Sequence, residues 1–148
     1  MLESLENAKE ELKRIDHLIY VTLKYTRTVD VLASVVERII NCYEFMINTL
    51  IKKAVIDGNL TEEPDNPITK AHEIIKLYPS KVIKANVEKY LMFRKLRRVA
   101  HEKTSEFRRH VTLTAEVDGK EIKIHIDNIT EDYHDIKKFM ELVEKTVK

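Results

Sequence analysis

The chain has one cysteine, two glycines, three prolines, no tryptophan and no glutamine in 148 residues. A single thiol, Cys42, excludes an intramolecular disulfide framework and any zinc site built on paired cysteines, and it suits a reducing compartment. With glycine only at Gly58 and Gly119 there is no phosphate-cradling loop, which argues against P-loop ATPases and dinucleotide-binding enzymes. Spacing yields no Ser-His-Asp arrangement either. No apolar run approaches the roughly 18 residues of a membrane span. The acidic start, Met1 to Glu6, lacks the apolar core of a secretory leader. The expectation is a cytoplasmic protein without membrane contact. Charge is nearly balanced, 26 basic residues against 25 acidic, so any polyanion site must be a local patch. The missing glutamine and the 34% of charged residues resemble hyperthermophile usage.

What is present is mostly helical periodicity. The length suits one domain, residues 1–148. Leu2, Leu5, Leu12, Ile15, Leu18, Ile19 and Leu23 follow the three-four spacing of an amphipathic helix over 2–25. Thr28 is the expected cap of a second helix over about 29–57, whose long apolar stripe stops at Asp57-Gly58-Asn59. After a polar loop, Pro67 opens a short third helix that ends before Pro79. Ser80 caps a fourth, expected to run to about Arg109. The period then changes to two over 110–126, where Asp118-Gly119 predicts a hairpin. A two-residue turn sets Ala115 against Ile122, Leu113 against Ile124 and Val111 against Ile126. It also opposes Glu116 to Glu121, a like-charge pair that a longer turn would relieve. Thr130 is the expected cap of a last helix to about Val147. The predicted fold is mainly α: an up-and-down bundle of four to five helices with one β-hairpin inserted before the last helix. A lone hairpin is marginal in water, so its apolar face is expected to lie on the bundle or on another chain.

The fourth helix carries the chemistry. Residues 94–110 hold Arg94, Lys95, Arg97, Arg98, Lys103, Arg108 and Arg109 against only Glu102 and Glu106. Such a strip binds phosphate; cations at a helix C-terminus also complement its dipole with no ligand present. On this helix Arg94 and His101 lie about two turns apart and project from one side. Val87 and Leu91 share that arc, which makes it half apolar and in want of a cover, a partner helix or a second subunit. Tyr90 precedes Arg94 by four positions and borders the same arc.

A helical bundle whose long fourth helix carries an Arg, six intervening residues and a His (Arg94, Lys95 to Ala100, His101) resembles the HEPN family, the higher eukaryotes and prokaryotes nucleotide-binding domain. Where family ribonucleases commonly carry Asn, Asp or His after the motif arginine, this chain has Lys95. The resemblance implies a homodimer and metal-independent cleavage of RNA, without cofactor. His101 would move the proton as the RNA 2′-hydroxyl attacks the adjacent phosphate, and Arg94 would steady the charge on its oxygens. Lys95, Arg97, Arg98 and Arg108 would bind the RNA backbone. It further implies a defence or toxin-antitoxin setting, with a nucleotidyltransferase-type antitoxin as partner. The alternatives are a non-catalytic helical interaction module and a small subunit of a nucleoprotein complex. The remaining histidines read as structural. His110 and His125 meet across the strands at most as a pair, which does not make a metal site. Cys42, beside an apolar stripe, reads as a buried thiol.

Overall fold

The computed structural model describes residues 1–99, 101–104 (backbone only), 108 and 110–148. Its elements are α1 (Leu2–His17), a π-helical turn (Leu18–Thr22), α2 (Leu23–Tyr25), α3 (Val29–Ile56), α4 (Pro67–Leu77), α5 (Lys81–Arg98), β1 (His101–Thr104), β2 (Thr112–Val117), β3 (Lys120–Ile124) and α6 (Ile126–Val147). The fold is mainly α with the hairpin before the last helix. Two expected caps form, at Thr28 and Ser80, and Asn66 supplies a third that was not expected. Thr28 accepts from the Val31 amide, Ser80 accepts from that of Ile83, and Asn66 accepts from Ile68 and Thr69 with Pro67 at the first helical position.

Helix α3 is the axis of the core. Half of its 28 residues are buried, and they include Leu32, Ile39, Tyr43, Met46 and Leu50. Helices α1, α4, α5 and α6 and strand β2 all pack on it. Polar links fix their registers. The Tyr43 hydroxyl donates to Asn86 Oδ1 at 2.9 Å, tying α3 to α5. Buried Glu11 on α1 accepts from Arg14 at 2.8 Å and from Arg38 of α3 at 3.3 Å. Tyr133 on α6 donates to Asp16 at 2.6 Å.

The hairpin has the two-residue turn, with Asp118 at φ 53° and Gly119 at φ 79°, the left-handed pair that matches strand twist. Leu113 faces Ile124, Ala115 faces Ile122, and Glu116 does face Glu121. Val111 has no strand partner, because Ile126 already belongs to α6. Leu113, Ala115 and Val117 are buried, and β2 rests on α3 and α5, so the chain itself covers the apolar face.

Two expectations need correction. The fourth helix does not reach Arg109. It stops at Arg98, Val99 turns extended (φ −98°, ψ 153°), and His101 to Thr104 pair antiparallel with Ala115 to Thr112, adding a third strand in the order β1-β2-β3. An open edge of β2 offers ladder hydrogen bonds to whatever chain lies beside it, and that non-local pairing outweighs local helical periodicity. Thr130 does not cap α6. The helix begins four residues earlier at Ile126, where His125 and Asn128 form a reciprocal capping box, and the Thr130 hydroxyl bonds back to Ile126 O at 2.6 Å.

Because Phe139 is fully buried with its ring 6.0 Å from that of Tyr43, Phe139→Ala is expected to cost about 3–5 kcal/mol. Urea denaturation checks this; a loss under about 1 kcal/mol would contradict a close-packed α3–α6 contact.

Candidate nucleic-acid interface

The cations at the end of α5 differ sharply in what they touch. Arg94 is nearly enclosed, its side chain 13% exposed, and its Nη1 donates to Glu44 Oε2 at 2.8 Å and to the Tyr90 hydroxyl at 3.2 Å. Tyr90 donates to the same Glu44 oxygen at 2.8 Å, and the guanidinium sits 5.8 Å from the centre of its ring. Burial first, and the Glu44 carboxylate second, push the Tyr90 phenol well above its ordinary range, so it stays a neutral donor. Lys95 reaches Asp118 of the hairpin turn at 2.7 Å, and Arg97 reaches Glu37 of α3 at 3.0 Å. Arg98 is exposed and has no ion-pair partner among the described residues; the same holds for exposed Arg108.

Arg94 and His101 do not share a helix face. Arg94 lies on α5 and His101 opens β1, three residues past the last helical position. The His101 imidazole lies outside the described residues. Val87, expected on an uncovered arc, is fully buried, and α4 packs against α5. The half-apolar arc is thus covered in part within the chain.

That packing creates a groove of about 220 Å³ between α4 and α5, with Ile68 and Leu91 as apolar lining and His72, Arg94, Lys95 and Arg98 as polar lining. Among the described residues no carboxylate lines it. Chemically this suits a phosphate with an apolar or aromatic group attached, since cations meet the anion while Ile68 and Leu91 offer surface to a ring. His72 was missed by sequence reasoning because it lies on another helix; its one signal is Ile68 four residues earlier, which shows that this flank of α4 carries both an apolar and a basic group. Glu44 was missed as well, being fifty positions from Arg94.

The other histidines have structural partners or none. His125 caps α6, and His134 lies 3.3 Å from the Tyr20 hydroxyl. His110 precedes β2 and does not pair with His125 in the register. Among the described residues no three His, Cys, Asp or Glu side chains gather as a metal site would require. The Cys42 thiol is pushed far up by burial, then by Glu11, and bonds to Ala8 O, so it is not a poised nucleophile. No described helix is long and apolar enough to cross a membrane. No protein-family model, curated protein or solved structure matches the chain.

Tyr43, Tyr90 and Tyr133 all have phenols raised chiefly by burial. Their unfolded counterparts ionise near pH 10. Above that pH the unfolded chain loses protons that the folded chain keeps, so this stability is intact below about pH 10 and falls as pH rises further. Alkaline unfolding followed by circular dichroism, with phenolate absorbance alongside, is expected to show the two changes together. Ionisation of all six tyrosines (Tyr20, Tyr25, Tyr43, Tyr78, Tyr90 and Tyr133) before any loss of helix would contradict it.

Proposed function

We propose that the chain binds RNA, holding its phosphate backbone along the α4/α5 groove and the cations at the end of α5. The observation that carries this is Arg98, exposed and unpaired among the described residues, on a groove lined by basic and apolar side chains and by no carboxylate of a described residue. Exposed Arg108 is a further cation without an ion-pair partner among the described residues. Lys95 and Arg97 contribute after releasing Asp118 and Glu37, and exposed pairs of that kind are weak enough to exchange. Each phosphate neutralised releases counterions, so affinity should fall steeply with salt.

The test is fluorescence anisotropy with a labelled single-stranded RNA across a salt series. Arg98→Ala is expected to weaken binding uniformly across sequences and to reduce the log-log salt slope by about 0.7. Glu37→Gln frees Arg97 and is expected to strengthen binding about twofold to fivefold. Absence of salt-dependent binding by the folded protein would remove the reading.

A second reading adds cleavage. Arg94 uses only Nη1 in its bonds to Glu44 and Tyr90, so Nη2 and Nε remain as donors on a side chain that is already held in place. In this reading Arg94 steadies a phosphate and His101 moves the proton in a HEPN-like homodimer, within a toxin-antitoxin pair whose other member is a nucleotidyltransferase-type protein. Incubation with mixed RNA in EDTA is then expected to leave cyclic phosphate ends, and both His101→Ala and Arg94→Lys to abolish them. Unchanged cleavage in either variant, or none by the wild type, would confine the protein to binding.

A further inference from the structure

A second cavity, of about 240 Å³, lies between α3, α4 and α5. We propose that it binds the guanine base of a nucleotide. Helix α3 supplies Asn41, Glu44 and Asn48, which lie at spacings of three and four on its polar face and line the cavity. Helix α4 supplies Lys70 across the cavity, and half-buried Phe45 adds an apolar wall.

The chemistry of the wall selects the ligand. Glu44 Oε2 is used twice, by Tyr90 and by Arg94, whereas Oε1 receives no hydrogen bond from any described residue. The carboxylate is therefore fixed in place and keeps an anionic acceptor with two open lone-pair sites, on a side chain 30% exposed that lines the cavity. Lys70 donates to Asn48 Oδ1 at 2.8 Å, which leaves two ammonium protons and orients the Asn48 amide so that its nitrogen remains a free donor. One side thus accepts and the other donates. Guanine carries the complement: N1–H and the 2-amino group are adjacent donors for a carboxylate, while O6 and N7 are adjacent acceptors for a lysine. Adenine presents an acceptor at N1, where a carboxylate would repel it. Pyrimidines have a smaller face for Phe45. The volume lies just below the range of drug-sized pockets and suits a single base.

The proposal needs no phosphate contact, so it stands apart from the RNA-backbone reading. The probes are GMP, IMP and AMP, which share ribose and phosphate, titrated into the full chain and followed by NMR at the Asn41 and Asn48 side-chain amides. GMP is expected to bind at least about tenfold more tightly than AMP, with IMP, which lacks the 2-amino group, in between. Glu44→Gln is expected to erase that ratio. Because Glu44 also holds Arg94, Lys70→Met provides a second variant on a half-buried site, and it should lower GMP affinity about fivefold or more with the fold intact. Arg98→Ala, in the other groove, should weaken RNA-backbone binding and leave the GMP-to-AMP ratio unchanged, so loss of backbone binding and loss of base selectivity are read separately. A guanine presented within RNA is measured the same way, by comparing short oligouridines that carry one guanine or one adenine. A guanine preference in either format supports the site. Equal affinities in both, or no saturable shift up to about 10 mM nucleotide, overturns it.

Discussion

Every other element answers to the burial of α3. Leu32, Val35, Val36, Ile39, Ile40, Tyr43, Met46, Ile47, Leu50 and Ile51 are each at most 2% exposed, and at about 100° per residue they form one broad face of the helix, an arc of roughly 160°. An apolar face that broad is stable in water only when several elements cover it. Hence α1, α5 and α6 each bring an apolar face to it, and the sheet lends β2. The side left over is the polar stripe Asn41, Glu44 and Asn48, and there α3 meets only α4, a helix of 11 residues, and the Tyr90 end of α5. Both concavities arise from this incomplete cover. At about 100° per residue, Ala71 and Ile74 of α4 point to the core, while Lys70 falls on one flank and Ile68 with His72 on the other. One flank closes the α3 cavity and the other closes the α5 groove.

Much of this was legible in the sequence. The helix starts at Thr28, Pro67 and Ser80 follow from capping and first-turn chemistry, and the hairpin register follows from alternation on either side of Asp118-Gly119. These signals are local, and local signals survive folding when the core agrees with them. The errors fall where a distant partner decides. Arg94 and His101 have helix-compatible spacing, yet the choice between helix and strand after Arg98 depends on the edge of β2, which lies more than ten residues downstream. Thr130 is a good capping residue by type. His125 took the role because its ring and Asn128 satisfy each other reciprocally, and histidine is not a residue that composition rules favour there.

The candidate sites were legible in halves. Arg94, Lys95, Arg97, Arg98 and Tyr90 stand out in one short segment, whereas Glu44, Lys70 and His72 come from elements brought alongside only by the packing on α3. The polar stripe on α3 was nevertheless visible. Asn41, Glu44 and Asn48 continue, at helical spacing, the polar face that Asp30, Ser34 and Glu37 begin and Lys52 extends. The stripe points to the same place as Tyr90, which was noticed for its nearness to Arg94.

Counting charge along the basic run overstates the field at the groove, because what matters is how each cation is neutralised. Lys95 and Asp118 are more than half exposed and share their charge through water, so a phosphate can replace the aspartate at small cost. Arg97 and Glu37 stand between, at 29% and 49% exposure. Arg94 and Glu44 are different: their contact is enclosed and cross-braced by Tyr90, and separating them would leave a poorly solvated charge on each side. Arg94 is therefore a fixed wall of the α4/α5 groove, held by the Glu44 and Tyr90 side chains that line the α3 cavity, while Arg98 has no acid to release among the described residues. In a chain of net charge +1 the local field thus depends less on how many basic residues accumulate than on which of them, like Arg98 among the described residues, has no carboxylate beside it.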